Sequence, residues 1–244
     1  MSRLKGKTAV VTGGGSGIGL GAAKRFVEEG AFVYLFGRRK EALDAAVAQL
    51  GPSARAVKGS VTDLSDLDRL YEAVKAERGR LDILFANAGT GSFAPLGEIT
   101  PEHYDQIFDV NVKGLVFTVQ KALPLMKKGS SIILTGSTTG AMGTPQFSIY
   151  SATKAAVRNL ARSWALDLRD TGIRVNVLSP GPIRTDLAIE VVGEEAFNAL
   201  GATTPLGRIG DPAETGAAAA FLASSDSSFM TGGEVFVDGG LAQV

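Results

Sequence analysis

Tyr150 and Lys154 stand four residues apart in Tyr-Ser-Ala-Thr-Lys, and Ser137 lies thirteen residues upstream. On a helix, residues four apart share a face, so this spacing sets an ammonium beside a phenol. A free tyrosine has a pKa of about 10 and is a poor base at neutral pH. A neighbouring cation favours the phenolate and brings the tyrosine into range for moving a proton to or from an alcohol or carbonyl oxygen. Alone the pair says little, because Tyr-x-x-x-Lys arises by chance on exposed helices.

Composition narrows the alternatives. The 244 residues suit one α/β domain with a sizeable core, and Lys+Arg and Asp+Glu both number 25. That balance gives no electrostatic pull toward nucleic acid or a membrane surface. There is no cysteine, which excludes disulfides, thiolate metal sites and cysteine nucleophiles. His103 is the only histidine, so a Ser-His-Asp triad would have to use it. Its setting, Thr100-Pro101-Glu102-His103, reads as a helix start with Thr100 as N-cap, where a partly exposed histidine is ordinary. Residues 1–7 run straight into a strand-like segment without a long apolar stretch, so a soluble cytoplasmic protein is the default expectation.

The elements that must position these groups alternate along the chain. Short apolar, β-branched runs at 8–11, 32–36, 54–58, 81–86, 131–135, 174–178 and 234–237 read as strands buried on both faces. Helix-length stretches at 17–29, 40–50, 64–78, 103–127, 149–169 and 212–223 lie between most of them. This alternation predicts βαβ units in a single doubly wound α/β domain with a parallel sheet flanked by helices. Residues 182–206 break the rhythm with an apolar-acidic segment between two Pro/Gly patches. Following a strand end, that insert reads as a substrate lid, an ordinary surface helix pair being the alternative.

The first strand runs into Thr12-Gly13-Gly14-Gly15-Ser16-Gly17-Ile18-Gly19. Gly-x-Gly-x-x-Gly fits no frame here, but Thr-Gly-x-x-x-Gly-x-Gly fits Thr12, Gly13, Gly17 and Gly19. Glycines let a backbone approach a pyrophosphate, and a helix N-terminus supplies free N–H groups and a positive dipole end. Gly15, Ser16 and Ile18 belong to the same turn. No Gly-Lys-Ser/Thr ending follows, so this is not a nucleoside triphosphatase loop. About twenty residues on, an NAD site would place a carboxylate against the ribose hydroxyl; this chain has Gly37-Arg38-Arg39. Two guanidiniums suit a ribose 2′-phosphate, so NADP(H) is the preferred cofactor and NAD(H) the other possibility.

Taken together, these residues resemble the short-chain dehydrogenase/reductases, in their compact branch of about 250 residues, over nearly the whole chain. The matching elements, in the family's order, are Thr12-Gly13-x-x-x-Gly17-x-Gly19, Asp63-Leu64, Asn87-Ala88-Gly89, Asn111, Ser137, Tyr150-x-x-x-Lys154, Pro180-Gly181 and Asp238-Gly239-Gly240. The resemblance implies a single Rossmann-like domain with a seven-stranded parallel sheet. It implies that Tyr150 is the acid/base, that Lys154 lowers its pKa and holds the nicotinamide ribose, and that Ser137 orients the substrate oxygen. Asn111 would hold a water linking Lys154 to solvent. Asp63 would meet the adenine, with Leu64 beside it. Asn87, Ala88 and Gly89 would line the adenosine ribose. Pro180 and Gly181 would lead to Ile183 and Thr185 on the nicotinamide amide. A homotetramer, a dimer of dimers built on the long helices and the C-terminal strand, is also implied.

The function expected from this resemblance is an NADP(H)-dependent carbonyl reductase or alcohol dehydrogenase acting on a small ketone or secondary alcohol. One alternative is a 3-oxoacyl-carrier-protein reductase, whose acidic partner would need basic surface, with Lys127, Lys128 and Arg169 as candidates. However, Thr171 stands before Gly172 where those reductases usually carry a basic residue. A dinucleotide-binding sensor without turnover is the alternative of another class. Gly91, Phe93, Met142, Phe147, Leu187 and Phe197 suggest an apolar substrate pocket.

Overall fold

A computed structural model describes residues 2–244. Seven strands form one parallel sheet in the order β3-β2-β1-β4-β5-β6-β7. They are β1 (Thr8–Thr12), β2 (Phe32–Gly37), β3 (Ala54–Lys58), β4 (Leu81–Ala86), β5 (Met126–Thr135), β6 (Arg174–Pro180) and β7 (Glu234–Val237). Strands β1 and β4 are buried at every position, as their unbroken apolar runs require. Side-chain alternation along β1 splits the core in two. Val10 joins Tyr34, Phe36, Leu84 and Leu134 on one face, while Ala9 and Val11 join Val33, Leu35, Phe85 and Ile133 on the other.

Helices cover both faces. α1 (Gly17–Glu28), α2 (Lys40–Leu50) and α9 (Pro212–Ala223) pack over the second cluster. α3 (Leu64–Arg78), α5 (Leu115–Ala122) and α6 (Ser148–Asp167) lie on the first face, and α4 (Pro101–Phe108) packs against α6. α1 and α9 cross closely because glycines face each other: a Cβ on Gly21 would stand 2.5 Å from the Pro212 carbonyl oxygen, and one on Gly216 2.6 Å from that of Gly21. Among the described residues, no helix is long and apolar enough to cross a membrane.

The order reverses between β1 and β4, where sheets of this kind open a crevice at the strand C-termini. Thr12 stitches that point. Its Oγ1 accepts the N–H groups of Asn87 and Ala88, both at 3.0 Å, and its carbonyl accepts Asn87 Nδ2 at 3.1 Å.

Two expectations change. The single helix anticipated over 103–127 is broken: α4 gives way to a π-helical turn at Asp109–Gly114, α5 follows, and a 3-10 turn at Leu123–Leu125 ends it. Pro124 cannot continue the helix, and Gly114 packs so tightly that a Cβ there would lie 2.8 Å from Val61 Cγ2. Strand β5 also starts five residues earlier than 131, pairing Met126 with Leu81; the ladder slips at Gly129 (φ 88°) and resumes at Ser131 opposite Ile83. Lys127, Lys128 and Gly129 masked this start by interrupting the apolar run.

The insert at 182–206 forms two helices, α7 (Asp186–Val192) and α8 (Glu194–Ala202). Thr185 caps α7 by accepting the Ala188 N–H at 3.1 Å.

Candidate functional site

The crevice is a cleft of about 860 Å³ running from the β2 end, across the switch point, to α7 and α8. At one end the glycine turn closes on itself. Gly13 and Gly17 adopt φ of 65° and 52°, and a Cβ on Gly19 would lie 2.2 Å from the Gly13 carbonyl oxygen. The turn has no room for a side chain at Gly19, and it leaves the first N–H groups of α1 open to the cleft. Ser16 is the N-cap of α1 but makes no capping bond; its Oγ accepts Arg39 Nη2 at 2.8 Å instead. Arg38 and Arg39 are exposed and lie on the cleft wall, neither in an ion pair.

These residues fit a dinucleotide. Gly15, Gly37 and Gly89 line the cleft, yet protein packing does not demand a glycine at any of them. A Cβ at Gly37 would touch only Leu43, at 3.8 Å, and one at Gly89 would come no closer than 3.4 Å to Asn111 Oδ1. Their missing side chains keep volume for a ligand. Asn87, Ala88, Pro180, Gly181, Ile183 and Thr185 line the same cleft. Asp63 and Leu64 do not. Asp63 caps α3, its carboxylate accepting the Ser65 N–H and hydroxyl at 2.9 and 2.7 Å, and Gly59 to Thr62 form the wall there. Thr185 also braces the glycine turn: a Cβ on Gly17 would lie 2.9 Å from its Cγ2.

Beyond the switch point stand the groups of interest. β5 delivers Ser137 just past its end, and the first two turns of α6 carry Tyr150 and Lys154. All three line the cleft. The Tyr150 ring stacks on Phe147 (centroids 4.4 Å apart, planes at 26°), and Phe147 stacks on Phe93 at 4.5 Å. Gly91 completes this seat, since a Cβ there would lie 2.8 Å from the Tyr150 ring. Burial pushes the Tyr150 phenol up to about 12, while a hydrogen bond with Ser137 pulls the other way.

Lys154 differs from expectation. Its Nζ lies 5.3 Å from the Tyr150 ring centroid and donates to the Thr135 carbonyl at 2.9 Å, so it sits against the ring and holds a β5 carbonyl. It does not lower the phenol in the free protein, where burial dominates. Burial drops Lys154 itself to about 8, from an ordinary 10.5. Between those values the folded chain carries fewer protons at this position than the unfolded chain, so stability rises with pH there. Denaturant titration should give a gain of about 2 kcal/mol from pH 7 to pH 9.5. Lys154→Met should abolish that gain; an equal gain in the variant would contradict the assignment.

Asn111 is fully buried in the π turn, and its amide is committed to protein. Oδ1 accepts the Thr90 N–H at 2.8 Å, and Nδ2 donates to the Thr90 carbonyl and Thr153 Oγ1 at 2.8 and 3.1 Å. It ties the loop after β4 to α6 beneath Lys154. His103 stands apart: its backbone N–H bonds the capping Thr100 hydroxyl, and Nε2 lies 3.3 Å from the Ser92 carbonyl oxygen.

The sequence reading missed Val61, Val191, Leu200, Thr203 and Leu241, which also line the cleft. Only the α7–α8 fold brings the lid members inward, and no local motif marks them. Phe93 reaches the site through its stack on Phe147 rather than as part of the wall. Lys127, Lys128 and Arg169 lie at the opposite end of the sheet. Lys127 and Lys128 sit near the start of β5, Arg169 follows the C-terminus of α6, and a Cβ on Gly172 would contact Lys128.

A family model described as enoyl-(acyl carrier protein) reductase, from the short-chain dehydrogenase/reductase family, matches residues 13–242. The chain is 64% identical over 246 residues to an oxidoreductase, asL5, of Sarocladium schorii, covering 100% of this chain and 99% of that one. It is 37% identical over 245 residues to an NADP-dependent (R)-specific alcohol dehydrogenase of Lentilactobacillus kefiri, covering 98% and 97%. A crystal structure of 3-ketoacyl-(acyl-carrier-protein) reductase from Brucella melitensis, complexed with NADH, superposes with a TM-score of 0.91 at 33% identity, covering 98% and 99%.

Proposed function

The chain belongs to the short-chain dehydrogenase/reductase family and is an oxidoreductase, and from that premise we propose that it reduces a ketone to a secondary alcohol with NADPH. One observation carries the proposal: a single cleft joins a free guanidinium pair at its nucleotide end to Ser137, Tyr150 and Lys154 at its other end. NADPH, when bound, supplies the hydride; the protein supplies orientation, exclusion of water and a proton.

Ser137 and the Tyr150 hydroxyl share the substrate oxygen. Tyr150 is protonated at neutral pH, since burial holds its phenol near 12, and it is therefore poised to give a proton in the reductive direction. Lys154, seated against the Tyr150 ring, replenishes that proton, and its value near 8 makes it able to exchange one at neutral pH. Asn111 positions Lys154 through Thr153 and the Thr90 strand end. Its amide donors are both used, so a water in the relay would bond its remaining lone pair or its main-chain carbonyl. Gly15, Ser16, Gly17 and Ile18 would take the pyrophosphate, and Arg38 with Arg39 the 2′-phosphate. The Lentilactobacillus relative's NADP dependence agrees with this, and the NADH of the Brucella complex marks NAD(H) as the competing cofactor.

α6 exposes Leu166 at 65%, and Phe229 before β7 is wholly exposed, which supports a homotetramer built on these surfaces. Purified protein should oxidise NADPH only when a ketone is added, followed by nicotinamide absorbance. Absence of ketone-dependent oxidation with either cofactor, despite nucleotide binding, would favour the non-catalytic sensor.

A further inference from the structure

The reaction end of the cleft has a wall chemistry that selects among ketones. Beyond Tyr150 it is built from Met142, Phe147, Leu187, Val191, Phe197 and Leu200. Three of these leave apolar surface open in the free protein: Met142 is 40% exposed, Leu187 47% and Leu200 37%. The uncharged polar groups among them include the hydroxyls of Thr138, Thr139, Thr144 and Thr203.

Charge is distributed unevenly along the cleft. Its basic residues are Arg38, Arg39 and Lys154, and its acidic ones Asp186 and Glu190. The two arginines stand at the nucleotide end, and Lys154 is buried and bonded to Thr135. Asp186 adjoins Thr185 at the glycine turn, so on its lid side the reaction end has the Glu190 carboxylate and, among the described residues lining the cleft, no cation free to take an anion. Nearby lid-side cations are spent: Arg184 pairs with Glu194 and bonds Asn198, and Arg208 pairs with Glu214. Lys127, Lys128 and Arg169, the basic residues that an acidic carrier protein would need, sit at the other end of the sheet.

We infer that the substrate is a neutral, ring-bearing ketone, recognised by apolar and hydroxyl contacts, and not a keto acid or an acyl chain delivered on an anionic carrier. This deepens the reductase reading and rests on it. Seating a carboxylate here would strip it of water with no partner, on a wall whose lid side carries Glu190. A ring gains instead. Phe147, stacked on the Tyr150 ring, and Met142 both line the cleft, and aromatic and thioether surface packs favourably on another ring.

The test uses a matched pair that differs only in charge: methyl 4-acetylbenzoate and 4-acetylbenzoate, each with NADPH, alongside acetoacetyl-coenzyme A. The wild-type protein should show kcat/KM for the ester about tenfold or more above that for the carboxylate, and above that for the thioester. Glu190 is exposed, so Glu190→Lys should fold normally. It should narrow the ester-to-carboxylate ratio by raising the carboxylate's kcat/KM, with the melting temperature and its rise on NADPH binding as the control for folding. Glu190→Gln should narrow it less. Equal or faster turnover of the carboxylate or the thioester by the wild-type protein overturns the inference, as does a ratio indifferent to Glu190→Lys. If NADPH raises the melting temperature but neither acetyl compound is reduced, the substrate class is wrong and the cofactor assignment stands. If NADPH does not bind, the reductase reading itself fails.

Discussion

Tyr150→Phe is expected to lower kcat/KM for ketone reduction roughly a thousandfold, the scale of a positioned general acid. The substitution removes one oxygen and keeps the ring that stacks on Phe147 and meets Lys154. Thermal stability and NADPH affinity should therefore stay close to wild type, because the lost group faces the cleft rather than the core. The loss should appear in kcat as well as kcat/KM, since the proton is needed as charge develops on the substrate oxygen. Unchanged turnover in this variant would remove Tyr150 from the chemistry, and Ser137 would become the residue to examine.

The second large effect concerns the cofactor. Arg38→Ala/Arg39→Ala is expected to raise KM for NADPH on the order of a hundredfold while leaving KM for NADH within a fewfold. Each charge-assisted bond to a phosphate is worth about 1.5 to 3 kcal/mol, and the two residues share one phosphate. Arg38 has no protein partner and Arg39 only the Ser16 hydroxyl, so neither removal strands a buried group. Equal losses with both cofactors would mean that the guanidiniums serve the shared adenosine diphosphate, and the preference for NADPH would fall.

Much of this arrangement was legible in the chain before folding, for physical reasons that differ from residue to residue. The glycine turn is readable because close approach leaves no tolerance: a Cβ on Gly19 would collide with the Gly13 carbonyl. The strands are readable because a parallel sheet covered on both faces needs unbroken apolar runs, and β1 and β4 are buried throughout. Tyr150 and Lys154 do share a face of α6, but spacing fixes only the face. It does not say that Nζ reaches back to the Thr135 carbonyl, nor that burial outweighs the Ser137 hydrogen bond at the phenol.

Asn111 shows another limit. Helical periodicity ran smoothly through 103–127, whereas the π turn that rotates Asn111 beneath Thr90 depends on contacts from Val61 and Thr153, far away in sequence. Asp63 shows a further limit: an Asp at a helix start serves equally as an N-cap, and here its carboxylate accepts the Ser65 N–H and hydroxyl. The lid residues were invisible as individuals, because an apolar-acidic helix carries no mark of which cleft it will face. Lys127, Lys128 and Arg169 looked available as a docking patch only while the polarity of β5 and α6 relative to the cleft was unknown.

The most direct test of the central claim is a turnover with NADPH deuterated at the nicotinamide C4, using methyl 4-acetylbenzoate as the ketone and mass spectrometry of the product. One deuterium on the new carbinol carbon, with product formation lost in Tyr150→Phe, is the expected result. An alcohol without the label, or labelled alcohol formed at the wild-type rate by Tyr150→Phe, would contradict the assignment of hydride and proton to this cleft.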